Sequence, residues 1–369
     1  MKKIGVVTFW NAKDNYGQIL QCFALNCFFR KLGYDAYLIK CGFILKLGLK
    51  HKIKKVIKLI LSPSKLKESI GFRLLMRKTI QTSKVHSRFF EKFIEENIPS
   101  TRYYTAQELF DNPPIFDIYV CGSDQIWSGL SPLAYLRFVP SQKLKVAYAA
   151  SMGGFYPKGK ELDVIKDYLS DFNMISLREK QSVDYLKNQG LKDVFCAPDP
   201  TLLLDVKKYQ RLYQHKKCNR TPYIFLYLLG NRDDTDINKI YDYAKRKSLN
   251  VIYVASQGRV DDYPKEYPTV EEWLMLIEHA EMVVTNSYHG TIFSMIFRKK
   301  FTTIFLSGMF SKMNDRVLHI LSKYGLENRI FNGQLVDFEE CPDYSCFEST
   351  LSEEVSAVGK RIHDVFDNQ

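Results

Sequence analysis

The segment "VVTNSYHGTIFSMIF", residues 283–297, places one histidine and one glycine between two apolar runs. The two valines indicate the end of a buried strand, and the apolar residues after Thr291 recur at helical spacing. We predict a strand, a polar loop, and then a helix whose N-terminus directs backbone N–H groups towards an anion. The candidate residues of the loop are Asn286, Ser287, Tyr288 and Gly290 for binding and His289 for catalysis. The alternative is a capped core helix whose histidine is satisfied internally.

Polar side chains also follow other strand-like runs. These strand-end loops offer an arginine, carboxylates and backbone N–H groups, a combination that suits a small anion and a hydroxyl-rich partner. Their candidate residues are Asp14, Asn15, Tyr16, Gly17, Ser123, Asp124, Gln125, Ser151, Arg178 and Glu179. Three have plainer alternatives: a helix N-cap for Asp124, a pair with a neighbouring lysine for Glu179, and a surface ion pair for Arg178.

Alternating strand and helix patterns must position these loops, and they occur in two series. The first begins with "KIGVVTF" and the second with "YIFLYLLG" after Pro222. Such alternation predicts an α/β fold of two Rossmann-like domains that face a cleft. We place the domains at residues 1–205 and 206–369, with a terminal helix in the second. In open parallel sheets, ligands bind outside the carboxyl ends of the strands, where the candidate residues lie.

The net charge of +12 is concentrated in one stretch of the first domain. Lys46 to Lys92 contain 14 Lys or Arg residues and 2 Asp or Glu residues, an excess equal to the charge of the whole chain. Apolar residues share one helical face there, namely Leu49, Ile53, Val56, Ile57 and Ile60. We predict a basic helical insertion over about residues 44–95, which either contacts an anionic membrane or packs on its own domain. No nucleic-acid recognition motif accompanies it, so no nucleic-acid partner is expected.

Several common kinds of site have no motif in the sequence. The seven histidines are dispersed without HExxH or CxxC patterns, so no metal site is predicted. A P-loop is absent and no GxGxxG follows the first strand, so no cofactor is expected. No GxSxG motif occurs, so the sequence offers no nucleophilic serine for a hydrolase triad. The eight cysteines are scattered, and no apolar run is long enough to span a membrane. These features favour a cytoplasmic protein with reduced thiols.

Seven segments, in order along most of the chain, together resemble one known family. They are "NYGQILQCFAL" (15–25), "VCGSDQIW" (120–127), "YAASMG" (148–153), "SLREKQS" (176–182), "DPTLLL" (199–204), "NSYHGTIFSMIF" (286–297) and "NDRVLHIL" (314–321). The chain resembles the polysaccharide pyruvyl transferases. The resemblance implies a GT-B-like fold with an acceptor-side first domain and a donor-side second domain. It further implies transfer of the pyruvyl group of phosphoenolpyruvate onto a sugar of a cell-surface glycan precursor, usually as a ketal.

The resemblance also implies roles for site residues. Arg178 would bind the donor, and His289 would hydrogen-bond its phosphate or protonate the leaving group. Some members have Arg-Leu-His where this chain has Ser-Tyr-His at residues 287–289, so Arg316 is our candidate for the missing donor arginine. Carboxylate candidates for proton transfer are Asp14, Asp124 and Glu179.

The basic insertion adds the expectation of a lipid-linked acceptor and an enzyme on the inner membrane face. Two rival functions stay open. One is a GT-B glycosyltransferase that uses a nucleotide sugar, and the other is a glycan-binding protein without catalytic activity.

Overall fold

The structure of the protein, a computed structural model, describes residues 1–43, 85–230, 235–256 and 258–367. The predicted basic helical insertion lies mostly outside these residues, and only its part from residue 85 onward is described. None of the described helices is long and apolar enough to cross a membrane.

The described residues form ten strands in two sheets. The strands are β1 Lys3–Val7, β2 Asp35–Leu38, β3 Ile118–Cys121, β4 Leu144–Ala150, β5 Met174–Leu177, β6 Val194–Cys196, β7 Tyr223–Tyr227, β8 Asn250–Tyr253, β9 Met282–Thr285 and β10 Phe301–Thr303. The first sheet has the order β2-β1-β3-β4-β5-β6 and the second the order β10-β9-β7-β8. All pairings between these strands are parallel, which confirms the predicted α/β class.

Helices connect most of the strands, as is usual for parallel pairing, whereas β3 and β4 are joined by turns. The α-helices of the described residues are α1 Tyr16–Lys31, α2 Phe90–Asn97, α3 Ala106–Asp111, α4 Lys160–Leu169, α5 Lys180–Asn188, α6 Val206–Gln210, α7 Ile237–Arg246, α8 Val270–Glu278, α9 Tyr288–Ile296, α10 Asn314–Lys323 and α11 Ser345–Asp367. Short 3-10 helices lie at Pro200–Leu203, Gly308–Met313, Glu327–Arg329 and Leu335–Phe338. Strands buried on both faces explain the nearly continuous apolar runs of the sequence, such as "IYVC" in β3.

One hydrophobic core is shared by the two sheets and fixes how they face each other. Val6 of β1 and Val283 of β9 belong to the same buried cluster. At its centre, the ring of Tyr16 stacks on Trp273 of α8, with centroids 5.2 Å and planes 9° apart. The Tyr16 hydroxyl donates to the Pro268 carbonyl oxygen at 2.7 Å. Because aromatic burial contributes strongly to packing, this contact holds the start of α1 against the second sheet.

The terminal helix α11 contacts both sheets. Near its start, Phe347 packs on Tyr324 with ring centroids 5.0 Å apart. Near its end, Phe366 packs on Phe29 and Tyr34 of the first sheet's side, with centroids 5.9 and 5.1 Å away. The chain thus passes to the second sheet after β6 and returns to the first through α11.

Candidate functional site

Polar side chains converge where the carboxyl ends of the first sheet meet the start of α9. Asp124 follows β3, Ser151 follows β4, and Arg178 with Glu179 follows β5. The loop after β6 contributes Asp199, and α9 contributes residues from the second sheet's side. Since strand ends of a parallel sheet meet at one edge, the sequence motifs become neighbours only through this topology.

Arg178 is the central cation of the site. Its side chain is 1% exposed, and its Nη1 donates to Asp199 Oδ2 at 2.8 Å. Its Nε donates to Glu179 Oε1 at 3.2 Å, and Asp124 Oδ1 lies 3.8 Å from its Nη2. Burial opposes its charge, but the Tyr288 hydroxyl and these carboxylates raise the pKa of Arg178 above its usual value. Arg178 is therefore a buried, permanently charged group, which excludes the alternative of a surface ion pair.

Asp199 joins Arg178 to His289. The carboxylate is fully buried, accepts hydrogen bonds from the backbone and hydroxyl of Thr201 at 3.0 and 2.7 Å, and lies 3.4 Å from His289 Nε2. Burial alone would raise the pKa of Asp199, but His289, Arg178 and Thr201 together hold that pKa well below its usual value. Asp199 is thus ionised and lies between Arg178 and His289.

Glu179 faces the same space from the other side of Arg178. Its Oε1 accepts a hydrogen bond from Ser151 Oγ at 2.6 Å. Its contacts are Arg178 and Ser151, so the alternative of a lysine partner is wrong. Four buried atoms of the described site have no hydrogen-bond partner: Arg178 Nη2, Glu179 Oε2, His289 Nε2 and Arg316 Nε. Because unsatisfied buried polar atoms are costly, this arrangement fits a site whose missing partner is a polar ligand.

Tyr288 separates two arginines. Its ring centroid is 4.5 Å from Cζ of Arg178 and 5.5 Å from Cζ of Arg316, which comes from α10. The carboxamide oxygen of Gln125 faces Arg316 and accepts from its Nη1 at 2.7 Å and its Nη2 at 3.2 Å. Burial and the nearby charge of Arg178 lower the pKa of Arg316. The second arginine is therefore present in the site, although it lies on another helix than the Ser-Tyr-His motif.

The start of α9 differs from the predicted loop. The helix begins at Tyr288, so His289 and Gly290 belong to its first turn, three residues earlier than the apolar pattern indicates. Ser287 is the N-cap, and its Oγ accepts from Gly290 N at 3.2 Å. Asn286 bridges to the loop after β7, accepting from Leu229 N at 2.6 Å and donating to Leu229 O at 3.1 Å. Ser287 and Asn286 thus hold the start of α9 in place.

The start of α1 approaches His289 from the first sheet. Asn15 caps the helix by accepting from Gln18 N at 3.2 Å. A Cβ on Gly17 would lie 2.2 Å from His289 Nδ1, so only glycine allows this close approach. Tyr16 has no exposed surface and lies in the shared core, so in this conformation it cannot contact a substrate.

Two further carboxylates lie at the first sheet. Asp124 is 9% exposed and accepts from Gln18 Nε2 at 3.4 Å; its φ of 59° and the absence of a following helix in residues 120–140 exclude the N-cap alternative. Ser123 beside it donates its hydroxyl to the Ala149 carbonyl, which ties the loop to β4. Asp14 is buried, which raises its pKa, while Arg88 opposes the shift.

Asp199 is not among the site residues that the sequence predicts. It stands in "DPTLLL", a segment noted for its resemblance, but nothing in its local pattern distinguishes a ligand of Arg178 from an ordinary cap of Pro200–Leu203. Among the described residues, no group of His, Cys, Asp and Glu could hold a metal ion, and all eight cysteines are free thiols.

Comparisons with known proteins agree with this arrangement. Solved structures with a similar fold include UDP-GlcNAc 2-epimerase of Methanocaldococcus jannaschii in complex with UDP-GlcNAc and UDP, 12% identical over 100% of both chains, with a TM-score of 0.52. UDP-N-acetylglucosamine 2-epimerase of Rickettsia bellii is 11% identical over 98% of each chain, with a TM-score of 0.49. At such identities the likeness bears on the fold alone, and that of the Methanocaldococcus jannaschii structure confirms the predicted GT-B-like pair of Rossmann-like domains.

A comparison with curated protein sequences gives no significant match. A family model, by contrast, matches residues 15–304 and is described as "Polysaccharide pyruvyl transferase". It spans all of the site residues described above except Asp14 and Arg316. The chain therefore belongs to the polysaccharide pyruvyl transferase family.

Proposed function

We propose that this transferase moves the pyruvyl group of phosphoenolpyruvate onto two hydroxyls of one sugar in a cell-surface glycan precursor. Family membership implies a pyruvyl donor and a glycan acceptor. The identity of the donor rests on the buried cluster around Arg178, in which four polar atoms of the described residues lack a hydrogen-bond partner. A small, multiply charged molecule with a carboxylate and a phosphate supplies acceptors for the arginines at one place and an acceptor for His289 at another.

The donor would lie between the two arginines and the start of α9. Arg178 Nη2 and Arg316 Nε lack hydrogen-bond partners and would donate to one anionic group. The first-turn N–H groups of α9 and the ring of His289 favour the other. Asp124, Glu179 and Asp199 already neutralise part of the charge of Arg178, so His289 would contribute to donor binding as a hydrogen-bonding group.

The reaction requires two proton transfers. One sugar hydroxyl adds through its oxygen to C2 of the enol, loses its proton to a base, and C3 gains a proton to become a methyl group. A second hydroxyl then attacks C2, and the C2–O bond to phosphate breaks. The products are the pyruvyl ketal and inorganic phosphate, which leaves with the second hydroxyl's proton.

Residues of the cluster suit these transfers. Glu179 has one oxygen held by Ser151 and Arg178 and the other unsatisfied, which is the arrangement of a positioned base. His289 Nε2, which has no hydrogen-bond partner, would receive the second hydroxyl's proton and pass it to the departing phosphate, and Asp199, 3.4 Å from that atom, would orient the ring. Asp124 lies on the opposite side of Arg178 and would bind the acceptor hydroxyls.

Phosphate release tests this proposal. Purified protein is incubated with phosphoenolpyruvate and a panel of lipid-linked or aryl-tagged galactosides, glucosides and N-acetylmannosaminides. We expect acceptor-dependent release that disappears in Arg178→Ala and His289→Ala. Arg220→Ala is the matched control, because Arg220 forms an exposed ion pair with Glu266 and precedes β7, at the opposite end of that strand from its carboxyl end.

Thermal shift separates the donor classes. Stabilisation by phosphoenolpyruvate but not by uridine or guanosine diphosphate is expected. The reverse result would identify a nucleotide-sugar glycosyltransferase. A protein that binds sugars, shows no thermal shift with phosphoenolpyruvate or with a nucleoside diphosphate, and keeps its sugar binding in Arg178→Ala would be a glycan-binding protein without catalytic activity.

The basic stretch from Lys46 to Lys92 extends the proposal to the membrane. We propose that the acceptor is lipid-linked and that the enzyme docks on an anionic inner leaflet from the cytoplasm. Sedimentation with anionic and neutral liposomes at low salt tests this, since surface attraction is strongest there. Equal recovery in both supernatants would contradict it.

A further inference from the structure

A row of side chains follows the strand ends of the first sheet beyond the catalytic cluster. Trp10 follows β1, Lys40 follows β2, and Tyr103 belongs to the segment that bridges to the outer edge of β2. We call these three residues the aromatic platform. The proposed reaction gives these three residues no role.

A hydrogen bond to a backbone carbonyl holds the platform in place. Trp10 Nε1 donates to the Cys41 carbonyl at 3.0 Å, which fixes the indole over the end of β2. The Tyr103 ring lies 6.4 Å from that indole at an angle of 58°, and 52% of Tyr103 is exposed. Lys40 Nζ lies 5.8 Å from the indole centroid. Two inclined rings beside an ammonium group therefore form a shallow, amphipathic surface.

Such a surface suits a sugar ring. The C–H faces of a pyranose are apolar and pack on aromatic faces, whose electron-rich centres attract polarised C–H groups. The ring hydroxyls at the edge require hydrogen-bond donors, and an ammonium group provides three. A purely apolar partner would leave Lys40 unsatisfied, and an inorganic anion would gain nothing from the two rings.

The order of the strands places the platform along the same edge of the first sheet as the candidate site. From the end of β1 to the end of β5, which carries Arg178, there are three strand spacings, or about 14 Å. The ends of β3 and β4, with Asp124 and Ser151, lie between them. A glycan that presents its reacting sugar at Arg178 would reach the platform only with a more distant sugar unit.

We propose that the aromatic platform of Trp10, Lys40 and Tyr103 binds a sugar unit of the acceptor that is not itself pyruvylated. This inference rests on the proposed function and narrows its acceptor to a glycan of at least two or three sugars. The enzyme would select for chain length as well as for the reacting sugar. Free monosaccharides would be poor acceptors.

Binding of oligosaccharides in the absence of phosphoenolpyruvate tests the platform. Methyl glycosides of galactose, glucose and N-acetylglucosamine are compared with their linear tri- to pentasaccharides by calorimetry or saturation-transfer NMR. At least one oligosaccharide should bind more tightly than its monosaccharide. Tyr103→Ala should weaken that binding about fivefold to tenfold, the loss expected when one ring face is removed. Tyr103→Phe should retain it.

Phe110→Ala is the matched control, because Phe110 is an aromatic residue of α3 that is 40% exposed and lies outside the platform. The proposal is overturned if no oligosaccharide binds better than its monosaccharide, or if Tyr103→Ala binds as the wild type does. The thermal shift with phosphoenolpyruvate is measured on the same samples. Failure of the platform leaves that shift intact, whereas failure of the proposed function removes it whatever the glycan result.

Discussion

Replacement of Gly17 by alanine should abolish most activity and leave the fold intact. A Cβ at this position would lie 2.2 Å from Nδ1, 2.4 Å from Cγ and 2.6 Å from Cβ of His289. Ordinary contacts between such atoms are about 3.5 Å, so His289 must withdraw by about 1 Å. Rotation of the imidazole cannot remove the overlap, because the Cβ of His289 is itself too close. The start of α9 would therefore have to move away from α1.

The expected magnitudes separate catalysis from stability. A displacement of about 1 Å in a catalytic group costs roughly 10²-fold in rate, or about 2.7 kcal/mol. Alanine favours the helix over glycine by up to about 1 kcal/mol, while overpacking costs about 1–3 kcal/mol. The free energy of unfolding should consequently fall by no more than about 3 kcal/mol.

The assay pairs phosphate release with urea unfolding. Gly129→Ala is the matched control, because no atom lies within 4 Å of a Cβ built there, and it should stay within about twofold of wild type. Removing the ring removes the overlaps with Nδ1 and Cγ and leaves only the one with the Cβ of residue 289, so the destabilisation caused by Gly17→Ala should shrink, but not vanish, in a His289→Ala background. Activity of Gly17→Ala within threefold of wild type, or additive effects on stability, would refute this account of the contact.

Three further predictions follow from single side chains. Asp199→Asn should lower the free energy of unfolding by about 3–5 kcal/mol at pH 7, because it leaves the buried Arg178 undercompensated. Since the folded pKa of Asp199 is depressed, its contribution is complete above the unfolded pKa of about 3.9 and is lost as the pH falls through the lower folded value. In urea unfolding, the difference in free energy of unfolding between wild type and Asp199→Asn should thus stay constant from pH 7 to about pH 4 and narrow only below about pH 4. A difference that already narrows near pH 6 would contradict the depressed pKa of Asp199. Arg316→Ala should raise the KM for phosphoenolpyruvate about tenfold or more with a smaller fall in kcat, and an unchanged KM would exclude this arginine from donor binding. Thr105→Ala removes the capping box of α3 and should cost about 1 kcal/mol in urea unfolding without changing phosphate release.

The sequence predicts the elements and most members of the cluster, because strand ends and helix starts have local signals. The strand of β9, the helix after it, and the strand that precedes Arg178 all follow from apolar periodicity. The start of α9 was misplaced because Tyr288, His289 and Gly290 carry no apolar helical pattern. The Ser287 cap was the available signal, since serine with a free backbone N–H three residues later is typical of an N-cap.

Relations between distant segments could not be predicted in this way. Asp199 contacts Arg178 because β5 and β6 are neighbours, and it contacts His289 because the two sheets face each other. Tyr16 belongs to a polar loop in the sequence, yet it stacks on Trp273 more than 250 positions away. Both facts depend on tertiary packing, which periodicity and motif spacing do not encode.

The terminal helix α11 has a mechanical consequence. The chain crosses between the two sheets twice, once after β6 and once along α11, whose last turn is held by Phe29 and Tyr34. Two crossings and one shared core tie the two sheets into a single cooperative unit. Because His289 meets Asp199 and Gly17 only while both sheets are folded, loss of the α11 contacts would take apart the proposed proton-transfer pair together with the fold.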